Sequence, residues 1–187
     1  MINIYTRDLQ KLYLAYFGRP GDPSGINYWL SRLEKSSTLI DISKELSIQK
    51  EYTKYISNDK SFESKINQLY LNLFDRKSDF DGLNYWLGMI DDQDYKISDI
   101  VYNLLYSSDK PYLINSEQEK YDISILENKI FAAELFTKQI SRSTTLINLY
   151  KPESIFPWVS GDSLIKASNF IKNINHQKVS IDDVNEL

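Results

Sequence analysis

Apolar residues recur every three or four positions along most of the chain. In the first segment, Leu9, Leu12, Tyr13, Tyr16 and Phe17 follow the i, i+3, i+4, i+7, i+8 spacing of an amphipathic helix. Similar stripes follow over residues 26–33, 38–57, 66–74, 83–90, 97–107, 117–141 and 162–174. Since no segment shows a convincing strand pattern, the sequence predicts an all-α fold.

Two finer expectations concern the ends of these helices. We expect Ser98 to be the N-cap of the helix over 97–107, because its hydroxyl can accept a backbone hydrogen bond. We expect residues 145–160 to be irregular, because Pro152 and Pro157 interrupt them. A short terminal turn over residues 180–186 is expected to close the domain.

The chain contains an internal duplication. Residues 12–30 (LYLAYFGRPGDPSGINYWL) are repeated 57 positions later as residues 69–87 (LYLNLFDRKSDFDGLNYWL). Each copy has the pattern helix, turn, helix, which predicts a multi-helix domain built from two repeated α-hairpins. We therefore expect a single helical domain over 1–187, with repeats at 5–57 and 62–115 and a C-terminal helical segment at 117–187.

Each repeat has a specific corner between its two helices. In the first copy, glycine and proline in the run GRPGDP end one helix, and Asp22 before Pro23 matches an N-cap followed by proline at the first helical position. The corner residues shared by the two copies are Arg19, Asp22, Gly25 and Trp29, and Arg76, Asp79, Gly82 and Trp86.

Composition excludes several function classes. With 22 basic and 26 acidic residues, the net charge of −4 argues against nucleic acid as a partner, since general phosphate attraction needs a basic face. No cysteine is present, which excludes disulfides and thiolate chemistry. No apolar run approaches the roughly 18 residues of a membrane span. The first residues lack a secretory signal, which fits a cytosolic protein, export without a cleaved N-terminal signal, or a fragment.

Catalytic motifs are absent from the sequence. The single histidine, His176, lies near the end of a polar helix face, and there is no HExxH, GxSxG or phosphate-binding glycine loop. We therefore expect the protein not to be an enzyme. A helical glycan-cleaving enzyme with two facing carboxylates remains the alternative in this class.

The turn DRKSDFDG, residues 75–82, supplies oxygen ligands of the kind that calcium prefers. Asp79 and Asp81 are therefore the candidate metal ligands, and calcium is the candidate cofactor. The turn lacks the alternating ligands and the final glutamate of an EF-hand. The alternative is that Asp22 and Asp79 cap the following helices while Arg19 and Arg76 bind nearby carboxylates or carbonyls.

Aromatic side chains offer candidate contacts to sugars. Trp29 and Trp86 lie on the apolar stripes and are expected in the core. Tyr28 and Tyr85 lie about 100° away from these tryptophans around their helices, which makes them candidates for glycan binding. Trp158, in the proline-bounded loop directly after Pro157, is the third glycan-binding candidate; a plug over the core is its other interpretation.

These motifs together resemble the DUF4214 family, whose defining corner is F-G-R-x-P-D-x-x-G-x-x-Y-W. The first copy matches it at Phe17, Gly18, Arg19, Asp22, Gly25, Tyr28 and Trp29; the second carries Asp75 in place of the glycine and has no proline. Residues 127–140 are similar to the family's "N-K-…-A-…-F-T" helix, and residues 167–184 to its closing segment. The helical pattern is also similar to the linker domains of phycobilisomes, which implies a related fold.

The resemblance also implies a cellular context. Such domains recur in bacterial surface-layer proteins, adhesins and proteins exported by type I secretion, whose C-terminal signal would explain the missing N-terminal one. We therefore expect a non-enzymatic, extracellular module at the cell surface, the N-terminal part of a surface-layer (S-layer) protein. Its expected partners are lipopolysaccharide O-antigen and other copies of itself in a lattice, with calcium as a bridge to anionic sugars. The alternative is a protein–protein scaffold or linker domain.

Overall fold

The computed structural model of the protein describes residues 4–56, 60–107, 117–150 and 162–177. Every regular element in these ranges is a helix, which confirms the all-α prediction. The elements are α1 (Ile4–Phe17), α2 (Pro23–Glu34), α3 (Leu39–Ser47), a π-helical segment (Glu51–Ile56), α4 (Phe62–Phe74), α5 (Phe80–Gln93), α6 (Ile97–Ser107), α7 (Glu117–Ile140), α8 (Thr144–Tyr150) and α9 (Asp162–Lys172).

The two predicted α-hairpins are present as α1–α2 and α4–α5. Helices α1 and α4 pack against each other, and α7 lies against both of them as well as against α2. Helix α3 packs on α6, while α8 and α9 pack on α7 and on each other. The main core lies between the first helices of the two repeats and α7, where the buried residues include Leu9, Leu12, Leu14, Tyr16, Ile66, Leu69, Leu73, Ile130, Ala132 and Ala133.

Both corners begin their second helix with an aspartate cap. The Asp22 carboxylate accepts a hydrogen bond from the backbone N–H of Gly25 at 2.8 Å, and Asp79 accepts the equivalent bond from Gly82 at 2.8 Å. Pro23 occupies the first turn of α2, where its missing N–H costs nothing. The capping interpretation of the two aspartates is thus confirmed.

The structure explains how the second corner dispenses with glycine. Gly18 has a φ of +59°, and its repeat equivalent, Asp75, has a φ of +61° at the C-cap of α4. Aspartate is among the few residues that adopt the left-handed region at modest cost. A side chain at Gly18 would meet Asn72 Oδ1 at 3.0 Å, so the first copy has a steric requirement for glycine as well as a conformational one.

Two local predictions are corrected by the structure. Helix α6 already begins at Ile97, and its first turn is closed by Asp99, whose carboxylate accepts from the Lys96 N–H at 2.8 Å; Ser98 is buried inside the helix. Residues 144–150 form α8 rather than irregular chain. Residues 151–161, with Trp158, and residues 178–187, with the expected terminal turn, lie outside the described residues.

None of the helices in the described ranges combines the length and apolarity needed to cross a lipid bilayer.

Candidate functional site

The arginine of the first corner is buried and makes its hydrogen bonds with other groups of the protein. Arg19 is buried, and its Nε and Nη2 donate to the two carboxylate oxygens of Glu51 at 2.7 and 2.8 Å. Its Nη1 donates to the Pro20 carbonyl at 2.9 Å and lies 3.5 Å from Asp22. The guanidinium also lies 5.2 Å from the centre of the Tyr13 ring, within cation–π distance. This corner therefore holds α1, α2 and the π-helical segment together.

The electrostatics of this corner indicate a structural role. Burial lowers the pKa of Arg19, but the ion pair with Glu51 more than offsets it, and the pKa of Arg19 lies above its ordinary value. Burial also raises the pKa of the Tyr13 hydroxyl, so that this phenol stays neutral. Because every donor of the guanidinium is directed at the protein's own oxygens, the first corner offers little to a ligand.

The second corner makes the same ion pair with a partner from a different part of the chain. Arg76 Nε and Nη2 donate to Asp122 of α7 at 2.9 and 2.6 Å, and Nη1 donates to the Lys77 carbonyl at 3.0 Å. The hydrogen bonds to Asp122 raise the pKa of Arg76. Arg76 is more exposed than Arg19, so solvent screens this pair more strongly. The sequence-based expectation that both arginines bind carboxylates is correct.

The calcium candidates lie beside this second corner. The hydrogen bond from the Gly82 N–H holds the pKa of Asp79 below its ordinary value, and the same carboxylate lies 3.5 Å from Arg76 Nη1. Asp81 is exposed on α5. Across the four described ranges, no three histidine, cysteine or acidic side chains are grouped as a metal site would require. Calcium at Asp79 and Asp81 thus remains a prediction from the sequence.

Helix α7 supplies a buried hydrogen bond network to the first corner. The Gln10 amide donates to Thr137 Oγ1 at 2.7 Å, and its carbonyl oxygen accepts from the Gly21 N–H at 2.8 Å. Thr137 in turn donates to the Gly21 carbonyl at 2.6 Å. The corner backbone is thereby fixed by side chains from α1 and α7, two helices that are far apart in sequence.

Helix α7 also binds the C-terminal end of α4 through a buried lysine. Lys129 is 1% exposed, and its Nζ donates to the Asn72 carbonyl at 2.9 Å. Burial lowers the pKa of Lys129 to about 8, while the Asp75 carboxylate acts in the opposite direction. A cation at this position stabilises the last carbonyls of a helix. Only the similarity of residues 127–140 to a family motif could have indicated this residue from the sequence.

The paired aromatic residues of the two hairpins divide into a buried and an exposed group. Trp29 and Trp86 are buried in the core, as their place on the apolar stripes predicts. Tyr28 and Tyr85 are 51% and 58% exposed on the outer faces of α2 and α5, each in edge contact with its neighbouring tryptophan. These two tyrosines are on separate hairpins, and Trp158 is not among the described residues.

A groove lies between α2 and α7, and neither Tyr28 nor Tyr85 is among the residues that line it. Its volume is about 590 Å³, within the range of sites for small ligands. The apolar lining consists of Pro23, Ile26, Leu30, Phe131 and Leu135, and the polar lining of Thr6, Asn27, Glu134, Thr137, Lys138 and Ser141.

Two side chains of α7 give the groove its chemical character. Phe131 is 42% exposed, although most large apolar residues of α7 are buried. Burial raises the pKa of Glu134, whereas Arg7, 3.6 Å away, acts in the opposite direction. Sequence reasoning missed this groove. The only signal for it is that apolar residues occur on more than one side of α7, which places the helix between neighbours without identifying a gap beside α2.

The other candidate for chemistry, His176, lies at the protein surface. Its Nδ1 is 2.8 Å from the Tyr121 hydroxyl, and Asn128 donates to the neighbouring carbonyls of Asn175 and Gln177 at 2.8 Å each. These contacts fasten the chain after α9 to the first half of α7. They suggest a structural role for His176.

Comparison with known proteins gives one family match. Residues 43–110, which include the second corner, match the family described as "Domain of unknown function (DUF4214)". No curated protein and no solved structure gave a significant match. The resemblance seen in the corner motifs is thus supported by an independent comparison, which matches residues 43–110 of this chain to the DUF4214 family.

Proposed function

We propose that this protein is a non-enzymatic anchoring module of a bacterial cell-surface protein, the N-terminal part of a surface layer, that binds O-antigen polysaccharide of the envelope. The groove between α2 and α7 is the observation that carries the proposal. The corner motifs are largely used by the protein itself, so the groove is the better-formed site for a ligand.

The lining of the groove suits a sugar ring. Phe131, Leu135 and Ile26 provide an apolar surface on which the C–H face of a sugar can pack. Asn27, Thr6 and Ser141 supply amide and hydroxyl groups for its hydroxyls, and sites for small ligands typically combine an apolar lining with a few such polar groups. A volume of about 590 Å³ suits one or two sugar units of a longer chain.

The charges around the groove favour hydroxyl-rich or zwitterionic sugars. Glu134 and Lys138 are both on α7 and both line the groove, so a ligand meets one acidic and one basic group there. Glu134 is half-buried beside the groove, and its carboxylate can accept a hydrogen bond from a sugar hydroxyl. Calcium, if it binds at Asp79 and Asp81, would add a bridge between the acidic protein and anionic sugars at a separate point.

The experiment that tests this function is co-sedimentation of the purified protein with bacterial envelopes stripped of their own surface protein. Calcium and a chelator are compared, and envelopes lacking O-antigen serve as the control. We expect binding to intact envelopes and its loss when O-antigen is missing. Equal sedimentation with both kinds of envelope, or with neither, would contradict the proposal.

A pair of matched variants locates the site. Phe131→Ala removes the exposed ring from the groove, and Phe62→Ala removes a ring of similar exposure, 45%, from α4. We expect about a tenfold loss of envelope binding for Phe131→Ala and no loss for Phe62→Ala, since truncating one central contact of a site typically costs more than 1 kcal/mol. Loss on Tyr28→Ala and Tyr85→Ala, with Phe131→Ala unaffected, would instead place the sugar on the outer helix faces.

A scaffold that binds other copies of itself is the second candidate function. It is favoured by Phe80, which is 78% exposed at the start of α5 and has the largest exposed fraction among the large apolar residues that the structure describes.

A further inference from the structure

The outer faces of α2 and α5 are equivalent by the internal duplication but carry different charges. Tyr28 on α2 and Tyr85 on α5 occupy the same repeat position, and both are more than half exposed. Two turns further along, Lys35 at the end of α2 corresponds to Asp92 near the end of α5. At this position the two hairpins carry opposite charges, whereas the preceding pair, Glu34 and Asp91, is acidic in both repeats.

The α5 surface is acidic and partly apolar. Helix α5 contains Asp81, Asp91 and Asp92 and no lysine or arginine. All three aspartates are exposed, together with Phe80 and Tyr85. An exposed face that combines aromatic rings with charges of one sign is typical of a protein-binding surface.

The α2–α3 surface has the opposite character. A shallow depression of about 440 Å³ lies between the end of α2 and α3, and it is lined by three basic residues, two acidic residues and two serines, namely Arg32, Lys35, Lys44, Asp41, Glu45, Ser36 and Ser37. Most of the acidic charge is compensated within the surface.

Arg32 pairs with Glu45 at 2.5 Å, and Asp41 accepts hydrogen bonds from the Thr38 N–H and hydroxyl at 3.0 and 2.6 Å. Lys35 and Lys44, both exposed, give the depression its net positive charge. The exposed Tyr28 ring lies at its edge, against Arg32.

We infer that the α5 surface of one copy of this chain binds the α2–α3 surface of the next copy. Charge complementarity carries the inference: Asp91 and Asp92 face Lys35 and Lys44, with the exposed aromatic rings of the two surfaces beside them. Since the surfaces differ, the contact is heterologous, and it produces rings or open-ended chains instead of two-fold symmetric dimers. The inference rests on the surface-layer part of the proposed function and supplies its protein–protein contact.

Complementary charge reversal tests this contact. One variant carries Asp91→Lys and Asp92→Lys, and the other carries Lys35→Asp and Lys44→Asp. In sedimentation velocity at low salt, the unaltered protein should grow in mass with concentration, while each variant alone should stay monomeric. An equal mixture of the two variants should associate again, because each then offers the surface that the other lacks. Association should weaken at about 1 M salt, where the Debye length is about 3 Å.

Controls separate this contact from unspecific effects. The control variant carries Lys166→Asp and Lys172→Asp at two exposed positions of α9. It has the same change in net charge as the variant with Lys35→Asp and Lys44→Asp, and it should associate like the unaltered protein. Helix content and thermal unfolding of every variant verify the fold. A protein that stays monomeric at all concentrations, or a mixture that does not associate, would overturn the inference.

The two proposals can fail independently. The charge-reversal variants leave every groove residue in place, so their binding to envelopes under conditions where the protein is monomeric should match that of the unaltered protein. Envelope binding without self-association would refute the contact alone, and self-association without envelope binding would refute the glycan anchor alone.

Discussion

The buried lysine between α7 and α4 makes the stability of this protein depend on pH in an unusual direction. The pKa of Lys129 is about 8 in the folded protein, below its ordinary value of 10.5. The unfolded chain therefore holds this proton more tightly, and unfolding takes up a proton between the two pKa values. A lysine whose pKa is lower in the folded than in the unfolded protein reduces the free energy of unfolding at neutral pH. This reduction becomes smaller as the pH rises.

The magnitude follows from the size of the shift. One pKa unit corresponds to about 1.4 kcal/mol, so the full effect is about 3 kcal/mol. Between about pH 7 and pH 9.5, linkage predicts a rise of about 2 kcal/mol in the free energy of unfolding. Burial also raises the folded pKa values of Tyr13, Tyr16, Tyr70 and Tyr150, so the stability that these four phenols contribute falls as the pH approaches and passes 10. Because a variant at Lys129 keeps all four tyrosines, their contribution cancels when the variant is compared with the unaltered protein.

Urea unfolding at several pH values from about 7 to 9.5 measures the effect, with Lys129→Met as the perturbation. Methionine keeps most of the side-chain volume and removes the titrating amine, so the difference between the unaltered protein and the variant should grow by about 2 kcal/mol in favour of the lysine as the pH rises. Lys138→Met, at an exposed position on the same helix, should show no such trend. A stability difference that is independent of pH would refute the reasoning.

Three further predictions concern the repeated corners, and urea unfolding at neutral pH measures each of them. Arg19→Ala removes a guanidinium that is only 3% exposed and should cost about 4 kcal/mol. Arg76→Ala removes one that is 26% exposed and should cost about 2 kcal/mol; equal costs would contradict the assigned difference in arginine burial. Gly25→Ala places a methyl group 2.1 Å from a tyrosine hydroxyl and should cost about 3 kcal/mol of unfolding free energy. Gly82→Ala has its nearest neighbour at 3.1 Å and should change the unfolding free energy by no more than about 1 kcal/mol. A costly Gly82→Ala would show that the second corner is packed as tightly as the first. Thr137→Val removes the hydroxyl that bridges α1 and the first corner and should cost about 2 kcal/mol, and no change would mean that the network adds nothing to stability.

The sequence predicted those parts of the fold that depend on local signals. Helix periodicity and the duplication gave the two hairpins, and aspartate before a helix start gave the caps at Asp22 and Asp79. The structure confirms the helices and both aspartate caps. The prediction of Ser98 as the cap of α6 was wrong because another side chain takes that role. The Asp99 carboxylate accepts the hydrogen bond from the Lys96 N–H at the start of the helix.

The partners of the two arginines could not be predicted, because they lie at different distances along the chain. Glu51 follows α3 within the first repeat, whereas Asp122 belongs to α7, outside the second repeat. The groove beside Phe131 had no sequence signal for the same reason: it arises where α7 crosses α2, and no local pattern encodes that crossing. Sequence reasoning therefore found the repeated unit and the helix α7, but not the contacts that join them.

The contacts made by α7 decide which fragments of this protein keep both corners complete. The matched span, residues 43–110, contains Arg76 and the end of α4 but neither Asp122 nor Lys129. Expressed alone, that span would carry an arginine and a set of helix carbonyls that have lost their partners. During synthesis on the ribosome, the hydrogen bonds from α7 to both corners can form only after α7 has been made. The family boundary drawn from sequence similarity is thus shorter than the cooperative unit, and soluble fragments for crystallisation or binding assays should extend at least through Ile140.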